Sequence, residues 1–97
     1  MAARPFRFHP AAEEELEEAA EWYEERNAGL GGDFIAAVRS RIEMMLEAPY
    51  RWPMRNGTRR VLLGRFPYAI VYREVDDDVE IVAIAHFRRR PTYWSKR

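Results

Sequence analysis

The apolar residues of this chain change their period once, across residues 49–57, and that single change restricts the fold to a helical half followed by a strand half. Upstream, Ala12, Leu16, Ala19/Ala20 and Tyr23 recur at i, i+4, i+7/8 and i+11 with glutamates filling the other side. That spacing predicts an amphipathic helix from about Ala11 to near Asn27, with Pro10 in the first turn, where a missing N–H costs a helix nothing. Ala28-Gly29 supplies a stop signal. Phe34, Ile35, Val38, Ile42, Met45 and Leu46 then predict a second helix, starting around 30–33 and closed by Pro49. The two form an αα-hairpin. Ahead of them Phe6 and Phe8 alternate with Arg7 and His9, as in a short strand with one buried face.

Pro49, Pro53, Asn56 and Gly57 mark a loop, and beyond it the period is two. Three strands are expected, Arg60 to Leu63, Tyr68 to Glu74 and Val79 to His86, joined by the connection 64–67 and a tight turn over Val75 to Asp78. The expected architecture is therefore α+β: an N-terminal strand, an αα-hairpin and a three-stranded antiparallel meander, with both helices on one face of an antiparallel sheet. A chain of 97 residues forms one core, so a single domain over 1–97 is expected. Its 47% hydrophobic and 13% aromatic content excludes an intrinsically disordered chain, which lacks the apolar surface to offset ordering entropy.

Several function classes drop out. Without cysteine there is no disulfide framework, thiolate metal site or cysteine nucleophile. No uninterrupted apolar run exceeds five residues, against roughly 20 for a membrane span. The first eight residues lack the apolar region of a secretory signal, so a cytoplasmic protein is expected. There is no G-x-S-x-G, P-loop or G-x-G-x-x-G, and neither Ser40 nor Ser95 lies near a histidine in sequence. Asp76-Asp77-Asp78 sits between two strands without the spaced ligands of a calcium loop and reads as a hairpin turn. His9 precedes a helix and reads as structural. No metal and no cofactor is expected.

Sixteen basic and sixteen acidic residues give a formal net charge of zero, but the charges are segregated. Through Ala48 eleven acids face five arginines, a charge of −6; from Pro49 eleven basic residues, ten of them arginine, face five acids, a charge of +6. The acidic helix carries i,i+4 glutamate pairs, each repulsive by roughly 0.2–0.5 kcal/mol, which a basic neighbour on this chain or another would offset. In the basic half, Arg88-Arg89-Arg90 runs into Pro91, Tyr93 and Trp94. Guanidiniums beside aromatic rings grip phosphates or acidic partners and stack on bases. This cluster is a candidate binding surface, with Tyr93 and Trp94 alternatively closing the core. His86, at the end of the last strand, is a candidate base for metal-free ribonuclease chemistry, with Tyr93 as acid and Arg88 to Arg90 as cations; the alternative is a structural histidine.

Trp22-Tyr23-Glu24 in the first helix, the 29–34 junction Gly-Leu-Gly-Gly-Asp-Phe, 66–73 Phe-Pro-Tyr-Ala-Ile-Val-Tyr-Arg, and Ala83-Ile84-Ala85-His86 leading to Arg89-Arg90-Pro91-Thr92-Tyr93-Trp94 resemble the RelE/ParE toxin superfamily over nearly the whole chain. The resemblance implies the toxin half of a type II toxin–antitoxin module, often described as a plasmid stabilisation protein and neutralised by a cognate antitoxin in a hetero-oligomer. RelE-like members cut mRNA on the ribosome, whereas ParE-like members poison DNA gyrase. Ribonuclease members typically carry an arginine where this chain has Ala69, a cation worth roughly two or more orders of magnitude in rate by analogy with other electrostatic catalysts. That departure, and a final strand running into His86, resemble the ParE branch. The implied reading is a gyrase-binding toxin whose contact residues for target or antitoxin are Arg88, Arg89, Arg90, Tyr93 and Trp94. Its alternatives are a RelE-like endoribonuclease using His86, Arg88 and Tyr93, or a non-toxic binding module.

Overall fold

A computed structural model describes residues 5–97. Strand β1 (Phe6–Phe8) leads into helices α1 (Pro10–Arg26) and α2 (Leu30–Glu47); a 3-10 turn (Pro49–Arg51) and an irregular loop then precede strands β2 (Arg59–Leu62), β3 (Tyr68–Val75) and β4 (Asp78–His86). The elements and their order follow the apolar periodicity, with β2 beginning one residue before the expected start and β4 likewise.

The sheet order is β1-β4-β3-β2, with β3 antiparallel to both neighbours. β1 lies parallel to β4, pairing Phe6 with Val79 and Phe8 with Ile81, so the sheet is mixed and not the antiparallel sheet that the sequence suggests. Alternation in a three-residue strand carries no information about direction. The long excursion through the αα-hairpin and the β2–β3 hairpin returns the chain beside β1 in the same sense, as a parallel pair requires.

Local chemistry fixes the hairpin between the helices. The imidazole of His9 caps α1 by accepting the Ala11 N–H at 3.1 Å, a structural role. At the far end Glu24 accepts the N–H groups of Gly29 at 2.9 Å and Gly31 at 3.0 Å through its two carboxylate oxygens. Gly29 turns the chain at φ +91°, and Gly31 lets the helices touch, because a Cβ there would stand 2.5 Å from the carbonyl oxygen of Ala20. Between β3 and β4 the pair Val75 and Asp78 closes a two-residue turn, with Asp76 at φ 56°. Asp tolerates that left-handed conformation, and the acidic triplet serves as turn chemistry.

One face of the sheet receives both helices. Phe34, Val38, Ile42 and Met45 of α2 and Ala12 and Ala19 of α1 pack on Val61, Ile70, Tyr72, Ile81 and Ile84. The Tyr72 hydroxyl donates to the Pro49 carbonyl at 2.6 Å, and burial pushes its phenol up to about 12. The second face holds Val71, Val82, Ala83 and Ala85, covered by Tyr93 and Trp94. A register shift at Val71/Tyr72, opposite Ala83 and Ile81, leaves Val82 without a partner on β3 and adds it to this second cluster.

Candidate binding cleft

The chain leaves β4 through a turn that two hydrogen bonds define. Phe87 N–H donates to the Pro67 carbonyl at 3.0 Å, and Arg88 N–H donates to Nδ1 of His86 at 3.0 Å. The imidazole packs edge-on against Tyr68, with centroids 4.9 Å apart. This geometry swings Arg88 and Arg89 toward α1, and between them opens a cleft of about 590 Å³. Its α1 wall presents Trp22, Tyr23, Glu15 and Glu18; its sheet wall presents Tyr68, Ile84 and His86. Trp22 is 51% exposed, unusual for a side chain of that apolar area, and its outer surface carries Arg26, whose guanidinium lies 3.6 Å from the ring centroid.

The structure divides the basic–aromatic cluster that the sequence presents as one. Arg88 and Arg89 line the cleft, and Arg89 stacks over Tyr93 at 3.9 Å. Arg90 is exposed and lies outside the cleft. Tyr93 and Trp94 are half-buried against the second face of the sheet, and Trp94 borders a different groove together with Arg60. Arg89 therefore keeps its contact with Tyr93 while Trp94 faces elsewhere, and the cleft that Arg88 and Arg89 line brings in another aromatic set, Trp22, Tyr23 and Tyr68.

Glu15 organises this end of the molecule, and sequence reasoning missed it. β1 pairs with β4 only as far as Ile81, so β4 beyond that point has an open edge. Glu15 covers it by accepting the Ile84 N–H at 3.0 Å, while Arg97 donates to the Val82 carbonyl at 3.0 Å. The two side chains also bind each other through paired 2.9 Å contacts, and the Tyr93 hydroxyl donates to Glu15 Oε2 at 2.7 Å. Burial raises the pKa of the carboxyl, but the hydrogen bonds from Arg97, Tyr93 and Ile84 outweigh it and hold the group below its ordinary value. Burial and the neighbouring carboxylate drive the Tyr93 phenol well above its usual range. A signal did exist: Glu15 falls on the buried stripe of α1, three residues after Ala12 and four before Ala19, where a charge requires a partner.

These contacts determine what the candidate groups can do. Nδ1 of His86 accepts a backbone N–H, which in the neutral ring places the proton on Nε2. Tyr93 has its proton held by Glu15. Ala69 is buried in the central strand between Leu62 and Ala85, an apolar setting. Among the described residues, no three His, Asp or Glu side chains converge as metal ligands, and no helix is long and apolar enough to cross a membrane.

The comparisons with known proteins agree with this architecture. A chain of a solved structure described as the chromosomal ParDE TA system from P. aeruginosa superposes with a TM-score of 0.65 at 16% identity, covering 87% of this chain and 96% of that one. The likeness establishes a shared α+β fold. A comparison with curated proteins gives no match. The family model described as the ParE toxin of the type II toxin–antitoxin system parDE matches residues 6–91, from β1 through the basic turn. This chain thus belongs to the ParE toxin family of type II toxin–antitoxin systems, on the ParE branch of the RelE/ParE superfamily.

Proposed function

We propose that this chain is a growth-inhibiting toxin that binds DNA gyrase in the cytoplasm, that it works by occupying its target without cleaving RNA, and that a cognate antitoxin neutralises it in a hetero-oligomer. The observation that carries the reading is the engagement of both candidate proton-transfer groups: His86 holds its own turn, and Tyr93 is tied to Glu15. What remains exposed is binding chemistry. Arg88 and Arg89 stand beside Trp22, Tyr23 and Tyr68, a cationic and aromatic surface suited to protein recognition. Arg90 extends the charge outside the cleft, while Tyr93 and Trp94 support the turn from below. An antitoxin segment carrying acidic and apolar residues would be complementary to the same surface and would compete with the target there.

The test uses purified protein in a gyrase supercoiling assay, with primer extension on messages from expressing cells. Inhibition of supercoiling or accumulation of cleavage complexes, with no new 5′ ends in mRNA, is the expected result. Unchanged gyrase activity at micromolar toxin together with new 5′ ends at ribosomal A-site codons would replace this reading with the endoribonuclease. Normal growth on induction of the folded protein would replace it with a non-toxic binding module.

A further inference from the structure

Among the described residues some arginines pair with acids and others do not. Arg7, Arg59, Arg65, Arg73 and Arg97 are each paired with an acid. Arg55 and Arg60 have no acidic partner among the described residues, and both face one groove of about 370 Å³ on the side of the sheet away from the helices. Their placement follows from local structure. Val61 points into the core, so Arg60 beside it on edge strand β2 projects onto the opposite face. Arg55 pairs with Thr58 across Asn56 and Gly57, which have φ of 52° and 77°, the two positive values of a type I′ hairpin turn.

The other wall of the groove is Pro91, Thr92 and Trp94. Thr92 sits at φ 61°, a conformation that β-branched residues rarely adopt, and strain of this kind concentrates at ligand sites. Two unpaired guanidiniums facing one recess repel each other, and an anion between them removes that repulsion. The recess is walled by an indole and a proline ring, flat apolar surfaces that accept the face of a base while the guanidinium forks take phosphate oxygens. A volume of this size accommodates an unstacked nucleotide, and a recess with an aromatic wall does not suit the convex backbone of a duplex.

We infer that the groove formed by Arg55, Arg60, Thr92 and Trp94 is a second binding site, one that holds a nucleotide of a single-stranded nucleic acid by its phosphate and base. The site is on the sheet face opposite the helices, uses none of the residues of the Arg88–Arg89 cleft, and does not depend on the gyrase reading. It binds without cleaving, because its lining residues include no histidine, aspartate or glutamate to move a proton.

The experiment is fluorescence anisotropy of the full chain with labelled 12-mers of oligo-dT and oligo-rU, at two salt concentrations, with labelled poly-glutamate as the acidic-peptide control. Binding of either oligonucleotide that weakens with salt, and that the R55Q/R60Q variant loses at least tenfold while R88Q/R89Q retains it, is the expected result. A preference for one strand identifies whether the sugar is read. Absence of binding, equal affinity in R55Q/R60Q, loss only in R88Q/R89Q, or equal affinity for poly-glutamate would each overturn the inference. Both variants change exposed side chains, and unaltered circular dichroism establishes that they are folded. Gyrase inhibition by R55Q/R60Q, measured alongside, separates a failure of this site from a failure of the proposed function.

Discussion

Glu15 and Arg97, 82 residues apart in sequence, face each other through two parallel hydrogen bonds of 2.9 Å. The same two side chains serve main-chain groups at Ile84 and Val82 along the edge of β4 that β1 leaves uncovered. An exposed strand edge is a template for unwanted pairing, and here an ion pair closes it. The clamp also fastens the segment after β4 to α1, which fixes the position of Tyr93 and, through its ring, of Arg89.

Removing one partner of this clamp leaves the other half-buried. The side chains are 14% and 18% exposed, so solvent compensates only in part, and Glu15→Gln or Arg97→Gln should destabilise the protein by about 2–4 kcal/mol. In a chain of this length that is a fall in Tm of roughly 10–20 °C. Urea unfolding and thermal melts check it; a loss below about 0.5 kcal/mol, the size of a surface substitution, would contradict the role given to the clamp.

The same carboxylate dictates an acid response. Its folded-state pKa lies below the ordinary 4.5, so its contribution is fully present above that pH and is lost as pH falls through the lowered value. Stability should decline below about pH 4.5, and Glu15→Gln should flatten that decline. Unfolding curves collected from neutral pH downward on both proteins provide the comparison, with parallel acid limbs as the contrary outcome.

At the alkaline end the signs reverse. Tyr72 and Tyr93 have phenols raised above 10, by burial in both cases and by Glu15 in the second, so each contributes stability below that pH that is lost as pH rises toward the folded value. Spectrophotometric titration should show these two tyrosines ionising only as the fold opens. Reversible ionisation of all five tyrosines in the native protein would exclude the enclosed hydroxyls.

Much of this molecule was legible in its sequence, and the part that was not has a physical pattern. Periodicity located both helices and the three strands after them because Phe34, Val38 and Ile42, or Ile70 and Tyr72, carry burial in their local spacing. The direction of β1 was not legible, since Phe6 and Phe8 alternate identically in either orientation. The cleft was half legible. Arg88 and Arg89 announced a basic surface, but the rings of Trp22 and Tyr23 that line the cleft with them lie more than sixty residues upstream and read locally as one side of a helix. Trp94 follows the arginines so closely that it reads as their companion, yet one turn of chain carries it to the opposite face of the sheet. The segregated charge likewise gains a specific meaning at Glu15, where the acidic helix meets a basic neighbour on its own chain.

Gly31 sets the spacing of the two helices. A methyl group at this position would meet the Ala20 carbonyl oxygen at 2.5 Å, a backbone atom that cannot swing aside, so Gly31→Ala must push α2 away from α1. The expected cost is about 1–3 kcal/mol, typical of overpacking, whereas Gly32→Ala, with open space around its Cβ, should be neutral or slightly stabilising through its greater helix propensity. Equal melting temperatures for the two variants would contradict the close approach.

The cleft variants separate binding from folding. Arg88 and Arg89 are exposed, and Arg88 has no acidic partner among the described residues, so R88Q/R89Q should change stability by less than about 0.5 kcal/mol per site. Trp22→Ala removes a half-exposed ring that contacts Arg26 and Tyr23, at an expected cost of about 1–2 kcal/mol that leaves the protein folded. Under the proposed function each variant should relieve growth inhibition at expression levels where the parent arrests cells, and reduce affinity for gyrase by at least tenfold. Raising salt should imitate R88Q/R89Q but not Trp22→Ala, because screening acts on the charges and leaves apolar contact intact. Full toxicity in R88Q/R89Q and Trp22→Ala, with both proteins folded, would move the target-binding surface away from this cleft.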